Sequence, residues 1–286
     1  MVTGFFGFIK ADIAKETSNE SYSRDTLNVI LKAEELMHNK LFQKAFQKLE
    51  SVIDRNNLNK FEKASLFFLL GSAQRGLEKF VDANKSFILV CKIDGIPINF
   101  YREALKSLSN DHLNKNQKTF ILSRLKVINK NRGNIELRII EGQLLYDFGY
   151  FNDSIKILET VINEEELVSK TQIEKINELK FLAHIGNSEF DIALDIIETE
   201  VLNNPVKLNF RRLAYTYALL NEHDKHMNIW ETIHDNFEIN RYETKFYYEL
   251  LLKNKFYLKA ADVFSIGLKK GFFDERERYD EGYSKY

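Results

Sequence analysis

The chain has 286 residues, only 12 of them glycine and two proline, and so few breakers exclude an all-β sandwich, a collagen-like chain and a disordered linker. Lysine and arginine total 41 against 42 acidic residues, a net charge of -1 with no overall field to draw in nucleic acid. The single Cys91 excludes an intramolecular disulfide, and no stretch approaches the ~20 apolar residues that span a bilayer, which argues against direct membrane insertion.

Residues 1–22 form a poorly patterned lead. Its apolar block Gly4-Phe5-Phe6-Gly7-Phe8-Ile9 lacks a basic start and is too short for a signal core. From residue 24 onward a unit recurs. Lys63 to Gly71 sets an aromatic residue and a Leu-Gly pair on one helical face, and Phe80, Ala83 and Phe87 form one face of a following helix. The large side chains of one helix can then sit over the small residues of the other. The same aromatic-x-x-small-x-x-x-large signature appears as Phe42, Ala45, Leu49 and as Phe151, Ser154, Leu158. It returns as Phe190, Ala193, Ile197, less cleanly as His223, His226, Trp230, and finally as Tyr257, Ala260, Phe264. The small residues are separated by 38, 71, 39, 33 and 34 positions. The gap of 71 holds one degenerate unit, with helices expected near 100–108 and 117–128.

These residues resemble the tetratricopeptide repeat family, whose period is about 34 residues. Seven units fit, over 24–57, 60–95, 98–131, 134–166, 170–204, 207–237 and 240–271, followed by a charged tail or partial capping helix over 272–286. The expected fold is all-α, a right-handed superhelical solenoid of about seven helix-turn-helix units, each packed on its neighbours. Asn56-Asn57-Leu58-Asn59 and the stretch 129–134 suit helix ends and turns, and Pro205 falls at the end of a second helix.

No glycine-rich phosphate loop and no nucleophile elbow is present, so no cofactor and no catalytic constellation is expected. Such a solenoid offers a concave groove lined by the first helix of each pair. Register assigns Arg75, Gln143, Tyr146, Arg211, Tyr215, Lys245 and Glu249 to it as residues for a protein or peptide partner. The competing class is a metal-binding or enzymatic helical protein using His223, His226 and His234. It lacks a third firm ligand, since two of these histidines fill the aromatic and small slots of the sixth unit. A cytoplasmic peptide-sensing regulator is a further alternative, but no basic recognition helix accompanies the repeats.

Leu31 to Leu36, Ala45 to Leu49, Leu58 to Ala64, Tyr247 to Leu250 and Tyr257 to Gly271 resemble the periplasmic tetratricopeptide proteins associated with the TonB–ExbB–ExbD system. That resemblance implies a periplasmic location and support of a TonB-dependent uptake complex, with components of that system as partners. The chain departs from it in showing no signal peptide and in stopping where such proteins run on through further repeats.

Overall fold

The computed structural model describes residues 22–132, 134–163 and 168–274. The lead over 1–21, the acidic run Glu164 to Glu166 and the tail from residue 275 lie outside the described residues. Among those described there are 14 α-helices and no strand, in agreement with the all-α expectation.

The helices follow one another as antiparallel pairs. The first four are α1 (Arg24–His38), α2 (Phe42–Ile53), α3 (Lys60–Gly76) and α4 (Phe80–Lys92). Next come the short α5 (Ile98–Lys106), a 3-10 turn at Asn110–His112 and the long α6 (Lys115–Arg132). Pro97 sits at the N-cap of α5, where a missing N–H costs nothing. The series continues through α7 (Ile135–Asp147), α8 (Phe151–Ile162), α9 (Lys170–Gly186) and α10 (Phe190–Asn203). It closes with α11 (Lys207–Leu219), α12 (His223–Asn236), α13 (Arg241–Lys253) and α14 (Tyr257–Lys269). The chain divides into two compact units with the boundary after Leu179, inside α9.

One turn geometry recurs between the paired helices. Lys40, Glu78, Gly149, Ser188, Asn221 and Lys255 all have φ between 59° and 84°, and each stands five residues before the small residue of the signature. The next residue sends its N–H back to a carbonyl five positions earlier at 2.8–2.9 Å, as in Leu41 to Leu36 and Phe256 to Leu251. This is the Schellman closure, which satisfies orphan carbonyls of the first helix and reverses the chain in two residues.

The notches meet their knobs. A Cβ on Gly71 would lie 2.7 Å from the Phe87 ring, and one on Gly142 would lie 2.7 Å from Leu158 Cδ2. Small first-helix residues therefore let the second helix approach, and Phe87 and Leu158 are buried there. Within the first unit one apolar core runs from Val29 on α1 to Leu144 on α7, and Ile139, Leu158, Val161, Ile176 and Leu179 form a second cluster. The second unit holds two smaller clusters, around Phe181, Ala193 and Leu213 and around Trp230, Ile233 and Tyr247.

Asparagine caps three of the first helices, α3, α7 and α13. Asn59 and Asn240 build capping boxes with Glu62 and Glu243, and the Asn134 side chain accepts from the Leu137 N–H at 3.0 Å.

Candidate functional site

The second unit contains a hollow of about 410 Å³ between α11, α12 and α13. Arg211 and Tyr215 enter it from α11, His226 and Trp230 from α12, and Tyr242, Glu243 and Phe246 from α13. Spacings of four on each helix put these pairs on one face. Trp230 and Phe246 form the floor, with ring centroids 4.7 Å apart, and His226 stands 6.3 Å from Phe246. Tyr215 is 54% exposed and Tyr242 84%, so large apolar surface faces solvent at the mouth. Tryptophan, tyrosine and arginine are the residue types that dominate binding energy at protein interfaces.

Glu243 is the polar group of this hollow. As the third residue of α13 it belongs to the capping box, and its Oε2 accepts from the Asn240 N–H and from Lys207 Nζ, each at 3.0 Å. Its Oε1 has no hydrogen-bond partner, the nearest cation being Arg211 Nη1 at 3.5 Å. The residue is 5% exposed. Burial alone would raise the carboxyl pKa, but the Asn240 N–H, Lys207 and Arg211 together pull it below the ordinary carboxylate range. An ionised oxygen with unused acceptor capacity therefore sits at the edge of an aromatic hollow.

His226 fills the slot that Ser154 fills two units earlier. Ser154 donates its hydroxyl to the Gly142 carbonyl at 2.7 Å, and His226 Nδ1 donates to the Ala214 carbonyl at 2.8 Å, each twelve residues back. This carbonyl bond fixes the tautomer and commits one ring nitrogen to the helix pair. His234 instead bonds Asp235 at 2.9 Å and packs on the Tyr247 ring, while His223 is exposed. Among the described residues no group of three His, Cys, Asp or Glu side chains is placed to hold a metal ion, and the three histidines are not gathered into one.

The groove residues assigned by register have different surroundings. Arg211 and Tyr215 line the hollow. On the same unit Lys245 lies over the Phe273 ring, 5.8 Å from its centroid, and Glu249 is exposed on α13. In the first unit Arg75 is exposed and reaches the Ser107 carbonyl at 3.3 Å. Gln143 donates to Asp147 Oδ1 at 2.9 Å, and Tyr146 packs on Phe151 across the turn. Burial raises the Asp147 carboxyl pKa despite the bonds from Gln143 and Asn110, so Gln143 helps keep a half-buried acid satisfied.

Trp230, Tyr242, Glu243 and Phe246 were not marked by register. Trp230 reads as the large core residue of its signature. The available signal was Tyr242 with Phe246, an i, i+4 aromatic pair following Asn240 on a first helix.

No protein-family model matches the chain, and no curated protein sequence matches it. Its fold is similar to the crystal structure of a tetratricopeptide repeat protein from Parabacteroides merdae, with a TM-score of 0.60 and 13% identity over 91% of this chain and 97% of that one. A weaker likeness, TM-score 0.46 at 14% identity, covers 79% of this chain and 39% of a chain in the structure of Naa15/Naa10 bound to HypK-THB. The first likeness shows the fold, which is of the tetratricopeptide type.

Proposed function

We propose that the chain is a non-catalytic protein-interaction scaffold that captures a partner through the first-helix face of its second unit. The observation that carries this reading is the hollow itself. Tyr215, Tyr242 and Phe246, each exposed, assemble an aromatic surface over the core residue Trp230, with Arg211 at the rim. The residue types favour a peptide or protein over a small metabolite, because the hollow is shallow at Tyr242 and open to solvent.

Partner capture by cross-linking and mass spectrometry tests it. Capture should fall on the order of tenfold or more in a Tyr215→Ala, Phe246→Ala double variant whose circular dichroism matches the wild type. Unchanged capture by that variant, with the fold intact, would remove the hollow from the account.

A narrower form of the proposal is support of a TonB-dependent uptake complex in the periplasm. It rests on the resemblance of the 58–64 and 247–271 segments alone. Fractionation of the source cells decides it: recovery in the periplasmic fraction supports it, and recovery only in the cytosol contradicts it.

A further inference from the structure

The chain carries two copies of one device, and one of them is already filled. Asn59-Lys60-Phe61-Glu62 and Asn240-Arg241-Tyr242-Glu243 both open a first helix with a capping box, and both glutamates are buried. In each, one carboxylate oxygen takes the N–H of the capping asparagine, at 2.9 Å for Glu62 and 3.0 Å for Glu243. The second oxygen of Glu62 is satisfied by the segment leading into α1, through the Ser23 N–H at 2.8 Å and the Ser23 hydroxyl at 2.6 Å. Ser23 has extended backbone angles, and the preceding Tyr22 lays its ring against the core with its hydroxyl 2.7 Å from Ser65 Oγ. An aromatic residue followed by an extended N–H thus completes the first copy.

At the second copy the residues in register with Tyr22 and Ser23 are Asn203 and Asn204, which bring no aromatic ring, and the Asn204 N–H goes to the Glu200 carbonyl instead of to Glu243. Glu243 Oε1 lacks a hydrogen-bond partner, and Phe246, which stands where Ser65 stands in the first copy, is open to the aromatic hollow. The rim adds a feature the first copy lacks. Arg211 projects a side chain that is 51% exposed, where the first copy has the buried Ile30. Lys207 bonds Oε2 at 3.0 Å, while Arg211 pairs with Oε1 only at 3.5 Å and keeps an exposed side chain, so Arg211 is the cation that can also meet a partner's charge.

Resting on the scaffold reading above, we infer that the hollow takes an extended peptide segment of a protein partner carrying an aromatic residue beside an acidic one. The aromatic side chain fills the space over Trp230 and Phe246. A peptide N–H donates to Glu243 Oε1 as Ser23 donates to Glu62, and the acidic side chain pairs with Arg211.

Trp230 is the sole tryptophan and reports occupancy directly. The probes are N-acetylated, C-amidated glycine-serine peptides carrying a central Phe-Asp, Phe-Lys or Ser-Asp pair, titrated into the full chain. Phe-Asp should shift Trp230 emission saturably and bind about tenfold or more tighter than either control. Arg211→Glu should reverse the order in favour of Phe-Lys. Phe246→Ala and, separately, the surface variant Tyr242→Ala should weaken every Phe peptide without changing the helical dichroism. Equal or tighter binding of Phe-Lys to the wild type would overturn the acidic chemistry while leaving the hollow a docking site. No response to any peptide, with partner capture still dependent on Tyr215 and Phe246, would overturn the inference and spare the scaffold reading. A Trp230 shift that follows protein concentration without peptide would assign the hollow to a second copy of this chain and overturn it as well.

Discussion

Gly71 and Gly142 show how single residues set the spacing of the helix pairs. Each lies under a second-helix knob, and a methyl group at Gly71 would enter the Phe87 ring. Gly71→Ala should therefore destabilise the protein by about 1–3 kcal/mol, read from urea unfolding, because neither α3 nor α4 can yield without opening the core. His226 is the second instructive residue. Its burial, only partly offset by the Ala214 carbonyl bond and reinforced by the charges of His223 and Lys253, lowers its pKa from 6.5. The unfolded chain then takes up the proton first as pH falls, so stability held by neutral His226 is present above pH 6.5 and lost below it. His226→Ser keeps a donor for Ala214, as Ser154 does for Gly142, but cannot titrate. Urea midpoints measured above and below pH 6.5 should fall more steeply in the wild type than in H226S; equal slopes would contradict the assignment.

At the scale of elements, the turn between paired helices is the repeated object. Five of its six left-handed positions are not glycine, which costs each about 1–2 kcal/mol of backbone strain that the Schellman bonds hold in place. Lys255→Gly should relieve that strain and raise stability by up to about 1 kcal/mol. Gly149→Ala should cost about 1 kcal/mol, and for φ alone, since a Cβ there meets nothing within 4 Å. Opposite signs in thermal or urea unfolding are expected, and a stabilised G149A would refute this reading of the turn. These turns explain why so much of the fold was legible. The signature residues Phe42, Ala45 and Leu49 and their five recurrences mark second helices, and the left-handed residue precedes each small one by a constant five positions. Asn59 and Asn134 were legible as parts of links that suit helix ends and turns, and the structure makes both of them N-caps. The site was less so. Register can say that Gln143 lies on a first helix but not that Asp147 occupies it, and it cannot tell that Trp230 is core on one side and floor of a hollow on the other. Those facts depend on how neighbouring pairs close over one another, which no short-range pattern encodes.

The described residues of each unit are helices joined in pairs, an arrangement in which stability is expected to be a sum of nearest-neighbour terms. Its buried Cys91 illustrates what such packing does to reactivity, since burial pushes the thiol up to about 12 and leaves it a core residue. Function then depends on which surface the array leaves uncovered. Among the large apolar side chains exposed in the second unit, Tyr242 at the hollow and Leu258 on α14 stand furthest out, at 84% and 86%. This pair separates recognition from mere stickiness. The most direct measurement places a photo-activated benzoyl-phenylalanine at position 242 or at position 258 of the full chain in the source cells, followed by identification of what is cross-linked. The account predicts one defined protein partner captured from position 242 and lost with Arg211→Glu, and no such partner from position 258. Capture from position 258 alone, or the same proteins from both positions, would contradict it.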